Sequence, residues 1–264
     1  SREASERHSR TLKAYEVLIK YLAMPCLCQF DASGESNKRF SQLMTKIGTK
    51  PALGHWLGAL REASGLVADS SCGKVIARDH DAKSKNRAVL EAYQLLEHQT
   101  GKPEAGLKKA VSVREYLQKV VTYRNKSGEG HGAISSTLQL TQFSQILLDG
   151  LRGLLADLRI FQIYDLIAIE EVRNMPRKRV CLTVRRLDGV GPVVESWERP
   201  ADGAHIEPGM YLARGHELVL SLAPWMVWAE GKHNQLECFL YNGKSHGGMF
   251  HYLAYHNKDE YPSP

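Results

Sequence analysis

Hydrophobic positions change their period once along the chain. Through residue 160 they recur every three or four positions: Leu12, Tyr15, Ile19 and Leu22, then Leu53, Trp56, Leu57 and Leu60, then Val89, Tyr93 and Leu96. That spacing puts each set on one side of a helix, so each stripe predicts an amphipathic helix turned toward a common core. The intervening DASGESNK (31–38), DSSCGK (69–74) and HQTGKPEAG (98–106) are rich in Gly, Pro, Ser and Asp and read as loops. Another helix is predicted from about Ser112 to about Arg124, with Ser112 and Glu115 spaced as a capping box and Val113, Leu117, Val120 and Val121 as its stripe. From about Ser136 to Phe161, Leu140, Phe143, Leu147, Leu151, Leu154 and Leu158 form the strongest periodic signal in the chain. A seam that long marks the central helix of a bundle.

Near Gln162 the pattern shortens. IYDLIAI, RVCLTV, PVVESW, ELVLSL, WMVWAE, LECFLYN and MFHYLAYH are short runs of β-branched and aromatic residues, separated by turn-forming LDGVG, ADGAH and YNGKSHGG. They predict six or seven antiparallel strands. The boundary falls between about residues 160 and 178, where NMPRKR (174–179) is a linker or a hairpin turn. The expected fold class is therefore α+β by segregation: an all-helical bundle over residues 1–160, then a small antiparallel β module over residues 161–264.

Composition removes several alternatives. The chain has 264 residues, long enough to bury a substantial core, and no apolar run reaches the roughly 18 to 20 residues a membrane helix needs. The opening SREASERHSR is too charged for a secretory signal, which makes the cytoplasm the expected location and a membrane an unexpected partner. The first residue, Ser rather than Met, and the closing DEYPSP suit a processed chain or a piece of a larger protein. Five cysteines without a C-x-x-C spacing do not make a disulfide framework or a zinc knuckle, and CLC (26–28) reads as two half-buried thiols near a helix end. SCGKV (71–75) lacks the upstream glycine and the following Ser or Thr of a phosphate-binding loop. The β module holds His216, His233, His246, His251 and His256, of which His246 and His251 flank a strand start, but no carboxylate or H-x-H pattern accompanies them. Neither a metal nor a cofactor is expected. Trp225, Trp228, Phe239, Tyr241, Phe250 and Tyr252 alternate as core residues do.

Charge is more informative once divided. Residues 1–160 carry 24 Lys and Arg against 16 Asp and Glu, a balance of +8, whereas residues 161–264 carry 11 against 13. A basic helical half suits a polyanionic partner, RNA or a nucleotide. The slightly acidic β module suits a protein or a small molecule.

The stretch YRNKSGEGHG (123–132) carries the candidate chemistry. Arg followed by His after four to six residues occurs three times, as Arg2/His8, Arg124/His131 and Arg199/His205, so spacing alone selects nothing. Position does. Leu117, Val121 and Arg124 share one helical face, and a guanidinium on the inward side requires a carboxylate, carbonyls or a phosphate to pair with. Glycines at 128, 130 and 132 permit a tight return of the chain that brings His131 back toward Arg124.

A helix ending in Arg-Asn, a short polar stretch and a His approaching another long helix, inside a basic helical region, resembles the HEPN superfamily over about residues 85–160. The resemblance implies a four- or five-helix bundle in which Arg124, Asn125 and His131 are the motif residues. It also implies, for many members, metal-independent RNA cleavage at a composite site in a homodimer, often in toxins or antiviral effectors. The chemistry is coherent. His titrates near neutrality and can move the 2′-hydroxyl or leaving-group proton. Arg supplies a fork of donors for the phosphorane charge. Asn125 orients the histidine or binds a phosphate oxygen, and Lys126 adds positive charge for substrate binding. Other members are non-catalytic, which leaves a sensor or adaptor region of a larger signalling protein as the alternative.

Overall fold

A helix of 32 residues opens the chain: α1 spans Arg2–Ser33 in the computed structural model, which describes residues 2–34, 37–49, 51–67, 70–101, 108–126, 137–187, 193–201, 205–232, 234–244, 249–255 and 259–263. The charged stretch Arg2–Arg10 belongs to this helix. The Arg10 guanidinium reaches Glu6 at 2.6 Å on the outer side, while His8 on the other side is fully buried. Seven further helices follow among the described residues: α2 (Lys38–Thr49), α3 (Leu53–Leu66), α4 (Ser71–Asp81), α5 (Arg87–Thr100), α6 (Val113–Lys126), α7 (Thr137–Asp157) and the single turn α8 (Ile160–Ile163). Two short strands, β1 (Lys83–Ser84) and β2 (Val111–Ser112), pair antiparallel between them. The predicted stripes are core: Tyr15, Ile19, Trp56, Leu60, Val89, Leu96, Leu117 and Leu147 are all wholly buried.

Two of the expected loops are corrected. DSSCGK contains the start of α4, because the Ser70 hydroxyl accepts the Gly73 N–H at 3.1 Å and so caps the helix. Gly73 is required there, since a Cβ would lie 2.1 Å from the Val67 carbonyl oxygen. In DASGESNK, Asp31–Ser33 belong to the last turn of α1 and Lys38 is the first residue of α2, while Gly34 and Asn37 lie in neither helix. The capping box expected at Ser112 is present in both directions: Glu115 N–H donates to the Ser112 hydroxyl at 3.1 Å, and Ser112 N–H donates to the Glu115 carboxylate at 3.1 Å. That hydrogen bond from the Ser112 backbone holds the Glu115 pKa below its ordinary value.

Beyond α8 the chain is β, and the fold class is α+β. Five strands, β3 (Asp165–Met175), β4 (Arg179–Arg186), β5 (Val193–Pro200), β6 (Gly209–Arg214) and β7 (Glu217–Ser221), form an antiparallel sheet in the order β5-β4-β3-β6-β7. Four more, β8 (Met226–Glu230), β9 (Leu236–Lys244), β10 (Phe250–Leu253) and β11 (Glu260–Ser263), form a second in the order β11-β10-β9-β8. NMPRKR is a hairpin turn and not a linker: Met175 faces Arg179, and Arg177 and Lys178 take the left-handed φ values of 61° and 54° that a tight hairpin needs. Alternation along β4 sends Val180, Leu182 and Val184 into a core with Ile167, Ile169, Trp197 and Ala213. In the other sheet Phe239, Tyr241 and Tyr252 are buried, and Trp225 meets Tyr241 edge-on at 5.2 Å.

The chain divides into two units. One comprises Ser1–Cys26, Ser36–Ile47 and Pro51–Ile160; the other comprises Leu27–Glu35, Gly48–Lys50 and Phe161–Pro264. The second unit thus takes in the end of α1, where the Cys28 thiol lies 3.8 Å from the Ala223 carbonyl, and the Gly48 carbonyl, which accepts the Tyr241 hydroxyl at 3.0 Å. CLC lies near the end of α1, as expected, but Cys26 and Cys28 are both buried and not half-buried.

Candidate functional site

The helix α6 carries three of the four candidate residues and distributes them. At about 100° per residue, Arg124 and Lys126 point to nearly opposite sides. Arg124 lies in line with the buried Leu117 and Val121, as the sequence indicates, and its guanidinium meets the Glu16 carboxylate of α1 at 3.1 Å. This is the pairing that an inward arginine requires. Its side chain keeps 39% of its surface exposed, so it is anchored and still reachable. Lys126 turns to α5, where its ammonium donates to the Thr100 carbonyl at the helix end. Asn125 is exposed between them. His131 lies outside the described residues.

Glu16 serves a second cation. Lys20, one turn further along α1, is 2% exposed, with its ammonium 3.5 Å from Glu16 and 5.5 Å from the centre of the Trp56 ring. Burial lowers its pKa to about 8, against the pull of Glu16, and the positive charge of Arg124 pushes the same way as burial. A chain of buried polar groups runs beside this cluster. Tyr15 hydroxyl donates to the Leu147 carbonyl at 2.7 Å and is hydrogen bonded to Tyr116. His8 bridges the Tyr123 hydroxyl at 3.1 Å and the Ser144 hydroxyl at 3.3 Å. Tyr123 precedes Arg124 directly, so His8 helps fix the end of α6 from the far end of α1.

His80 is a candidate that the sequence motifs do not single out. Cys72, Ile76 and His80 occur at four-residue steps along α4, and all three are buried. His80 therefore continues an apolar stripe, the same signal that distinguished Arg124. Its Nδ1 is 3.8 Å from Asp81, and its Nε2 is buried with no hydrogen-bond partner among the described residues. Burial first, then Arg114 and Arg61, depress its pKa to about 4, and Asp81 opposes them. A base whose pKa is about 4 when folded and 6.5 when unfolded is protonated preferentially in the unfolded chain between those values. Stability is thus expected to fall as the pH drops from 6.5 to 4, by on the order of 2 to 3 kcal/mol. Urea denaturation of wild type and His80→Gln across this range tests it: the variant should lose most of the slope, and an unchanged slope would assign it to other groups.

In the β unit, His216 stacks on Trp197 with centroids 4.8 Å apart, and His251 lies 3.4 Å from Glu260. His233, His246 and His256 lie outside the described residues. Among the described residues, no three metal-ligating side chains come together, and no helix is long and apolar enough to cross a membrane. Comparison of the chain with protein-family models, with curated proteins and with solved structures finds no match.

Proposed function

We propose that the helical unit is HEPN-like and binds RNA or a nucleotide in prokaryotic stress or antiviral defence, acting as a homodimer in the cytoplasm. The observation that carries this reading is Arg124: a guanidinium at the end of α6, fixed from behind by Glu16 and open to solvent on its other side, within a basic half of the chain. In metal-independent cleavage the RNA 2′-oxygen attacks the adjacent phosphorus and the bond to the 5′-oxygen breaks, leaving a cyclic phosphate and a 5′-hydroxyl. His131 would carry the proton, and Arg124 and Asn125 would hold the phosphorane.

One observation favours a second, non-catalytic reading. Arg124 and Lys126 already serve structural partners, Glu16 and the Thr100 carbonyl. In that case the protein is a sensor or adaptor whose bundle dimerises and whose β unit recognises a protein or small molecule. Incubation with total RNA in EDTA separates the two. Cleavage that vanishes in His131→Ala is the expected result for the nuclease. Salt-sensitive binding without cleavage, lost in Arg124→Ala, is the result for the adaptor. Absence of any RNA binding by the wild type overturns the nucleic-acid reading and leaves the adaptor with a protein or small-molecule partner.

A further inference from the structure

The four helices α3, α4, α5 and α6 enclose a cleft of about 420 Å³ that lies within the size range of small-molecule sites, about 300 to 1,000 Å³. Its walls include Arg61 from α3, His80 from α4, Tyr93 from α5, and Arg114, Gln118 and Lys119 from α6. The acidic member of the wall, Glu115, is committed to the capping box at Ser112. Lys119 leans on Glu97 at 3.6 Å, and Arg61 on Glu62 at 3.7 Å. Arg114 has neither an ion pair nor a hydrogen bond among the described residues. The cleft therefore keeps a positive charge that the protein's own carboxylates leave partly unmatched.

His80 makes this more than a basic surface. Its side chain is 3% exposed, yet Nε2 has no partner among the described residues, and a buried polar atom left in that state is destabilising. An atom so placed beside a basic cleft is one that a ligand oxygen would satisfy. We propose that this cleft binds a phosphomonoester of mononucleotide size, with Arg114 and Arg61 gripping the phosphoryl group and the His80 Nε2–H donating to it. In the tautomer with the proton on Nε2, the imidazole donates one directed hydrogen bond without adding a buried charge. Tyr93 and Gln118 supply an aromatic surface and an amide for the rest of the ligand. The site does not depend on Arg124, which faces α1 from another side of α6.

The test is calorimetric titration of the purified full chain with adenosine 5′-monophosphate, inorganic phosphate and adenosine. Saturable binding of the nucleotide and of phosphate, with none of adenosine, is expected. Arg114→Ala, an exposed position that leaves the fold intact, should weaken the nucleotide at least about ten-fold, and His80→Gln by a similar factor. In the wild type, the His80 imidazole resonances should move on titration. Equal binding of nucleotide and adenosine, no saturable binding of the nucleotide, or wild-type affinity in Arg114→Ala each overturns the proposal. RNA cleavage or binding that persists while the nucleotide fails to bind overturns this proposal alone, and nucleotide binding without any action on RNA overturns the other alone, so the two failures are separable.

Discussion

Gly150→Ala is expected to destabilise the helical unit by about 3 to 4 kcal/mol, a large effect for one added methyl group. Helix propensity alone predicts the opposite, since Ala is favoured over Gly inside a helix by about 1 kcal/mol. Packing decides the sign. Gly150 sits in the middle of α7, and a Cβ there would lie 2.5 Å from the Ala92 Cβ of α5 and 2.7 Å from the Tyr116 hydroxyl of α6. Neither can withdraw cheaply. Ala92 is held by its own helix, and the Tyr116 hydroxyl is tied to Tyr15, whose own hydroxyl is bonded to the Leu147 carbonyl. Gly153, one turn on, is approached less closely, with the Asn86 side chain that caps α5 at 2.9 Å from where its Cβ would lie. The control is Gly65→Ala in α3, where the new methyl meets nothing within 4 Å and should stabilise slightly. Urea midpoints of the two variants should lie on opposite sides of wild type. A Gly150→Ala protein as stable as Gly65→Ala would mean that α5 and α7 pack less closely than described.

The same helix shows what the sequence reveals and what it withholds. Phe143, Leu147, Leu151 and Leu154 are buried, as their spacing indicates, because periodic burial is written directly in the order of residues; Leu140 at the start of the stripe is half-buried, and Leu158 is buried just past the end of the helix at Asp157, short of the expected Phe161. The glycines between them look like weaknesses in a helix until Ala92 and Tyr116, distant in sequence, are in place. The missed elements have local causes. β6 lies between Pro208 and a charged turn, β11 contains Pro262, and α4 begins among serines and a glycine. Each reads locally as a turn, and pairing or packing with distant segments overrides the local preference. At the candidate site the burial of one side of Arg124 was legible from Leu117 and Val121. Its partner was not, since Glu16 precedes it by 108 residues and looks like any other charge on a helix. His80 was legible by the rule applied to Arg124, because Cys72 and Ile76 precede it at helical spacing; the charged neighbours Arg78, Asp79 and Asp81 disguised it.

Glu16→Leu is expected to cost about 3 to 5 kcal/mol near neutral pH, the usual consequence of taking the partner from a buried charge. The carboxylate stands between two cations, Lys20 at 3.5 Å and Arg124 at 3.1 Å. Arg124 can turn to water through its exposed part. Lys20, at 2% exposure, cannot, and its remaining route is to lose its proton. The wild-type Lys20 pKa is already about 8, below the ordinary 10.5, so between these values the unfolded chain binds more protons and stability rises with pH. The rise ends near pH 10, where tyrosines of the unfolded chain begin to ionise while Tyr15 and Tyr116 resist ionisation by burial. The deficit of Glu16→Leu should therefore shrink between pH 7 and about 9. Adding Lys20→Met should recover most of it at pH 7, because the buried charge is then gone along with its partner. A deficit that does not change with pH and is not rescued by Lys20→Met would show that Glu16 acts through something other than Lys20. The asymmetry between the two cations also defines the functional experiment. Arg124→Ala leaves the Glu16–Lys20 pair in place, so the variant should stay folded, and a loss of RNA binding in it would report on the guanidinium's phosphate contact and not on a collapsed bundle.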